Sequence, residues 1–339
     1  MLRKIGIHSI GTSSAVDYVR RVADAGGCVP AVLSCNNGGI VIDVKRFSPN
    51  TITLWRIWRR SDEWVDGYDL DRHEDYQRAA ETRMAAILAH SSAEERAATD
   101  YFVTQNEPRP HTPNGWYRLG LQAVTFMELA EAHSMHVALF GLNVGTPPTW
   151  AELEAFVDSG FAERAVAGGH CIALHEGIVA APDVPEDADC RFGVGIDMEE
   201  HGYPRVDGAG VFTLRYRYLL HALRKRGLDR LPRIVLSEFY PCIKDLRRVS
   251  AEMLMSCYRW LDAQLCADDC VIAALPYTLA TGDQWQSQRH ETLYTMPGGL
   301  LDSMIPTPET NEDNGSIGYT FRCPHCGSPI VAIRGRCRE

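Results

Sequence analysis

The chain has 339 residues, 45% apolar and 23% charged, the balance of a globular protein able to bury its own core. The net charge is −10 without a long basic run, which argues against nucleic acid as a partner. No stretch approaches the roughly 18 apolar residues of a membrane span. The amino terminus, MLRKIGIHSIGTSS, lacks the apolar segment of a signal peptide, so a cytoplasmic protein is expected. The 11 cysteines are an odd number and scattered, and they read as buried free thiols rather than a disulfide framework.

Short apolar runs alternate with amphipathic stretches along the chain. The first run is KIGIHSI, Lys4–Ile10. Val16, Val19, Val22 and Ala23 then mark a helical face that Gly26-Gly27 ends. CVPAVLS, Cys28–Ser34, is the second run, followed by a weakly periodic segment at Ile40–Phe47. TITLWRIW, Thr51–Trp58, is the third, and the alanine-rich, charged stretch from Asp71 to Ala98 is expected to be helical. The fourth run, Tyr101–Gln105, leads into a segment with helical spacing at Trp116, Leu119, Ala123, Met127 and Ala130.

HVALFGL, His136–Leu142, is the fifth run, and Thr149 with Glu152 forms a capping-box pattern before the next helix. His170–Leu174 is the sixth run. A long insertion rich in proline, glycine and acids follows, with a helix expected from Ala209 to Arg226. Arg233–Leu236 is the seventh run, then a helix carries Met253, Leu254, Cys257, Trp260, Leu261 and Leu265. Cys270–Tyr277 is the eighth.

Continuous apolar strands followed by helices mean a parallel sheet covered on its outer face. Eight such units in about 290 residues is the arithmetic of a (β/α)8 TIM barrel. An open doubly wound sheet would favour a glycine-rich loop after the first strand, and SIGTSS has a single glycine. The barrel is therefore expected over 1–299, with a polar linker at 300–318 and a cysteine-bearing tail at 319–339.

Barrel enzymes carry their chemistry at the carboxyl ends of the strands. The fourth run ends in TQNEPRP, where Pro108 disfavours helix at Glu107 and leaves Asn106 and Glu107 at the strand end. The seventh ends in Ser237-Glu238-Phe239-Tyr240 and the sixth in His175-Glu176. Strands four and seven face each other across a barrel mouth. Two opposed carboxylates suit glycosidic bond cleavage, in which one protonates the leaving oxygen and the other attacks the anomeric carbon or activates water. If His175 points inward, alternation sends Glu176 outward.

Glu107 in QNEP and Glu238 in LSEF resemble the signature of the clan of (β/α)8 retaining glycoside hydrolases that includes cellulase-like and xylosidase-like families. That resemblance implies Glu107 as acid/base, Glu238 as nucleophile and Asn106 as the partner of a substrate 2-hydroxyl. It implies His175 as support for the nucleophile and Trp285 as a sugar floor. Tyr240 and Tyr277 are candidate donors to sugar or nucleophile, and Trp58 is a candidate stacking surface. The clan often has an arginine late in strand two; this strand has none, and Arg56 lies on the third run instead. Glu238 is expected to ionise first, with Glu107 holding the proton.

In the tail, Cys323-Pro-His-Cys326 resembles one knuckle of a zinc ribbon, and Cys337 is a third thiolate for an incomplete structural zinc site. No cofactor is expected for catalysis, and the expected partner is a β-linked oligo- or polysaccharide. The alternative is a catalytically silent barrel that binds glycan or protein.

Overall fold

The computed structural model describes residues 1–57, 72–178, 185, 188–241, 245–280, 287 and 289–306, and the backbone at 309–310, 317–322 and 329–333. Nine strands form one parallel sheet: β1 (Ile7–Ile10), β2 (Ala31–Cys35), β3 (Ile52–Arg56), β4 (Tyr101–Val103), β5 (Val137–Leu142), β6 (Cys171–Gly177), β7 (Arg233–Tyr240), β8 (Val271–Pro276) and β9 (Leu279–Ala280). From β1 to β8 each strand pairs with the next in sequence, and β9 extends strand eight along β1. The sheet closes where Ile5 bridges Ala274 in parallel. There Gly6 N–H donates to Ala274 O at 2.9 Å, and Ala274 N–H donates to Lys4 O at 2.7 Å. This is a TIM-barrel-like fold.

Alternation along the strands sorts the core into two parts. Ala31, Leu33 and Cys35 of β2, Tyr101 and Val103 of β4, and Cys171 and Ala173 of β6 belong to one buried cluster, which fills the barrel. Val32, Phe102 and Ile172 between them belong to the larger cluster shared with the helices. Small side chains dominate the inside because eight strands leave room for little more.

Register shifts interrupt the ladders from β5 to β8, and two of them bear on the site. On β6–β7 the register runs Leu174↔Leu236 and then His175↔Glu238, so Ser237 is an extra residue. On β5–β6 a shift between Phe140 and Leu142 makes Gly141 the extra residue. Each bulge lies at the carboxyl end of its strand, where pairing changes phase and side chains are re-aimed.

The helices follow the expected order, with adjusted bounds. Gly38–Phe47, weakly periodic in sequence, is a helix capped by Asn37, whose side chain accepts from Gly39 N–H. The capping box of Thr149 and Glu152 opens the helix Trp150–Asp158. The helix expected from Ala209 begins at Tyr216. Packed chain also continues past Gly299, where a linker was expected. Leu300–Met304 is a short helix whose Leu300, Leu301 and Met304 are fully buried, and Leu2 N–H donates to Ser303 O at 2.6 Å. Among the described residues no helix is long and apolar enough to cross a membrane.

The expectation of free thiols fails at one pair. Cys190 in the insertion and Cys257 on the helix Ala251–Cys266 form a disulfide. Distant in sequence, they meet because the insertion folds back onto the helix that follows β7.

Candidate active site

Glu107 and Glu238 meet at the carboxyl end of the barrel, on either side of His175. The His175 Nδ1 is 3.2 Å from Glu107 Oε1 and 3.6 Å from Glu238 Oε2. Together those distances cap the separation of the two carboxylate oxygens at about 7 Å, which spans the ~5–5.5 Å of retaining and the shorter part of the ~6.5–9.5 Å of inverting glycosidases.

Glu107 lies outside the right-handed helical region that Pro108 disfavours for it. Its φ of 52° falls in the left-handed region, which proline does not favour and which is uncommon for a residue other than glycine. Its N–H donates to Gly141 O at 2.9 Å, which ties the strand-four end to the bulge on β5. Gly141 is itself at φ 52°, and a β-carbon there would lie 2.8 Å from Gln105 O and 3.1 Å from His175 Nε2. Only glycine suits that position. Behind these strand ends the buried Arg83 donates from Nε to Thr104 O at 2.6 Å and from Nη2 to Ile57 O at 2.9 Å. A guanidinium thus satisfies carbonyls where β3 and β4 stop pairing.

Glu238 is 4% exposed and strongly held. Arg56 Nη1 donates to its Oε1 at 2.7 Å, and the Tyr240 hydroxyl donates to its Oε2 at 2.6 Å. Tyr240 lies two residues along the strand, so the Ser237 bulge turns both side chains into the mouth together. Burial alone would raise the Glu238 carboxyl. His175, the Arg56 cation and the Tyr240 donor outweigh it and hold the pKa at about 2.

His8, at the base of the site, is fully buried, and desolvation lowers its pKa to about 3 despite the attraction of Glu238. It is a neutral imidazole at neutral pH. Its Nδ1 lies 2.6 Å from Thr278 Oγ1, and its Nε2 is 3.8 Å from Glu238 Oε1.

Glu107 does not behave as expected from sequence. Burial pushes its carboxyl up, but the hydrogen bond and charge of His175, with Arg109 at 3.3 Å, leave it below the ordinary carboxylate value. In the unliganded chain Glu107 is therefore ionised at neutral pH instead of holding a proton. The cause is a pair of nitrogen donors, Arg109 two residues along the chain and His175, which only the fold brings beside it.

No protein-family model matches the chain, and no curated protein matches it. Solved structures do. A glycoside hydrolase family 5 enzyme from Prevotella bryantii matches at 12% identity over 81% of this chain and 88% of its own, with a TM-score of 0.44. A glycoside hydrolase family 30 subfamily 8 xylanase from Clostridium acetobutylicum matches at 11% identity over 99% and 78%, with a TM-score of 0.45. A broad-specificity endoglucanase from Ruminococcus champanellensis, solved with bound cellotriose, matches at 11% identity over 78% and 76%, with a TM-score of 0.45. These structural neighbours are (β/α)8 glycoside hydrolases.

Of the sequence-selected residues, Asn106, Glu107, His175, Glu238 and Tyr240 come together. Asn106 Oδ1 accepts from Arg56 Nη1 at 2.7 Å, so one guanidinium nitrogen bridges Asn106 and Glu238. Tyr277 stands beside them, its ring 5.1 Å from Tyr240 and 4.9 Å from His8. His175 bonds the Glu107 carboxylate more closely than that of Glu238. Trp58, Trp285, Cys323, Cys326 and Cys337 lie outside the described residues.

Sequence reasoning passed over Arg56 and His8 as members of the site. Arg56 was visible inside the third apolar run, and it is the last residue of β3. Glu176 points outward as alternation requires. It is fully buried and accepts from Leu214 N–H at 2.6 Å and Tyr216 N–H at 2.8 Å. Burial raises its pKa to about 7 against those donors.

Proposed function

We propose that the chain is a glycoside hydrolase acting on β-linked oligo- or polysaccharide, with Glu238 as nucleophile and Glu107 as acid/base. The observation that carries this reading is the convergence of two carboxylates, from β7 and from the segment after β4, on His175 Nδ1.

Glu238 has the environment of a nucleophile, ionised and held by Arg56 and Tyr240. Its carboxylate attacks the anomeric carbon while Glu107 gives a proton to the departing oxygen. Ionised Glu107 then takes a proton from water, which cleaves the glycosyl ester and releases Glu238. With Asn106 Oδ1 engaged by Arg56, its NH2 is the group that meets a substrate hydroxyl. Glu107 must gain a proton before the first step. Sugar that excludes water from the cleft raises its carboxyl in the required direction.

The low proton affinity of Glu107 in the unliganded chain favours the second reading, a barrel that binds glycan without cleaving it. A panel of chromogenic β-glycosides separates the two. With azide, Glu238→Gly should yield an α-glycosyl azide, and Glu107→Ala a β-glycosyl azide from substrates with good leaving groups. Reversed anomers would exchange the two roles. Turnover unaffected by either variant would remove both residues from the mechanism.

A further inference from the structure

The two oxygens of Glu107 face different surroundings. Oε1 lies 3.2 Å from Nδ1 of His175, whose side chain is fully buried. Oε2 accepts from Nη2 of Arg109 at 3.3 Å, and the Arg109 side chain is 56% exposed against 21% for Glu107. His175 thus closes the inner side of the carboxylate, and Arg109 stands on its solvent side. Arg109 lies between Pro108 and Pro110, which stiffen the backbone around it and leave its side chain as the part free to swing.

We propose that Arg109 is a clamp on Glu107 that the leaving-group sugar displaces, so that Glu107 takes up its proton only in the complex. The inference rests on the proposed function and gives a positioning role to a residue that function did not use.

A leaving oxygen must come within about 2.6–3.2 Å of a Glu107 oxygen to receive its proton. Oε1 is engaged by a buried imidazole, so the approach is to Oε2, where Arg109 stands. An exposed ion pair is held weakly and is screened by salt, so a bound sugar can replace it. The departing guanidinium removes a cation that favours the ionised carboxylate. A proton from solvent then binds Oε2 and is passed to the leaving oxygen. The other groups facing Glu107 stay in place: His175 on β6, which lowers its carboxyl more than Arg109 does, Glu238 and Tyr240 on β7, and Tyr277 after β8.

The test compares the full chain with Arg109→Gln and Arg109→Lys on cellotetraose and xylotetraose, whose sugar leaving groups need the proton. The pH profile of kcat/KM reports groups in the free protein, and that of kcat reports groups in the complex. In Arg109→Gln the basic limb of kcat/KM should move up by about 0.5 pH unit, because the free carboxylate has lost a cation. The basic limb of kcat should stay where it is, because the clamp is already open in the complex. Arg109→Lys should restore the kcat/KM limb, and added sodium chloride should move the limb of the unaltered chain toward that of Arg109→Gln.

An unmoved kcat/KM limb would overturn the proposal. Equal movement of both limbs would overturn it too, since Arg109 would then remain on Glu107 in the complex. Should the unaltered chain cleave no β-glycoside, the hydrolase reading fails, and carbon NMR of the Glu107 carboxyl, assigned with Glu107→Gln, still decides the clamp. That carboxyl should titrate about 0.5 pH unit higher in Arg109→Gln than in the unaltered chain, and equal titrations would overturn the clamp.

Discussion

Glu238 on β7 pairs in register with His175 on β6 because Ser237 is bulged out between them. Without that extra residue the phase set by Val235, which faces the barrel interior, would turn Glu238 toward the helices. One bulged residue thus decides whether the carboxylate lies in the mouth or in the wall.

Arg56 is the permanent cation against Glu238, and Arg56→Met should expose its importance. Removing one partner of a buried ion pair costs about 3–5 kcal/mol, because the remaining charge is left uncompensated. The Glu238 carboxyl should then rise from about 2, as burial, the raising influence, meets less opposition. The acidic limb of the kcat/KM profile should move to higher pH, with kcat lower by about 10²-fold or more. A profile with an unmoved acidic limb would mean that Glu238 is not the group titrating there.

Two buried groups should shape stability against pH in opposite directions. The folded pKa of His8 is about 3, below its ordinary 6.5, so its contribution is full above about 6.5 and is lost as pH falls toward 3. Glu176, raised from 4.5 to about 7, contributes fully below about 4.5 and loses that contribution as pH rises through 7. Glu176→Gln should remove the second slope, so that denaturant midpoints gain relative to the unaltered chain between pH 5 and 8. Parallel midpoint curves would show that Glu176 is not protonated in this window.

Gly141→Ala should cost stability twice, through its positive φ and through the contact of the added methyl with Gln105 O. A loss of about 1–3 kcal/mol is expected, seen as a shifted urea midpoint. The methyl also meets His175 Nε2, so kcat should fall about tenfold or more with KM less affected. Unchanged kcat would detach His175 from the site.

The disulfide between Cys190 and Cys257 ties the insertion to the barrel over 67 residues. Cys190→Ser with Cys257→Ser, or reduction by a dithiol, should lower stability by about 2–4 kcal/mol. Proteolysis should then begin inside the insertion. Denaturation midpoints that are identical with and without reductant would show that the pair is not joined in solution.

A chain ending at Gly299 loses three fully buried apolar side chains, Leu300, Leu301 and Met304. At ~1.5–3 kcal/mol for each buried side chain, it should be markedly less stable than a chain ending at Pro306. Equal melting temperatures would place the edge of the packed domain at 299.

The order of eight strands and their helices was legible in the sequence, because each apolar run and each capping signal is a local property. Asn106 and Glu107 were legible at a strand end for the same reason, since Pro108 acts on its immediate neighbour. The inward and outward sense of His175 and Glu176 followed from alternation on a strand without a bulge between them. Tertiary structure alone decided the rest. The Ser237 bulge is a mismatch between two strands, and neither strand encodes it by periodicity. Arg56 reaches Glu238 across 182 positions of sequence, and His175 reaches Glu107 across 68. Electrostatic interaction depends on distance through space, so the charge states of Glu107 and Glu238 were set only when barrel closure brought those nitrogens to them.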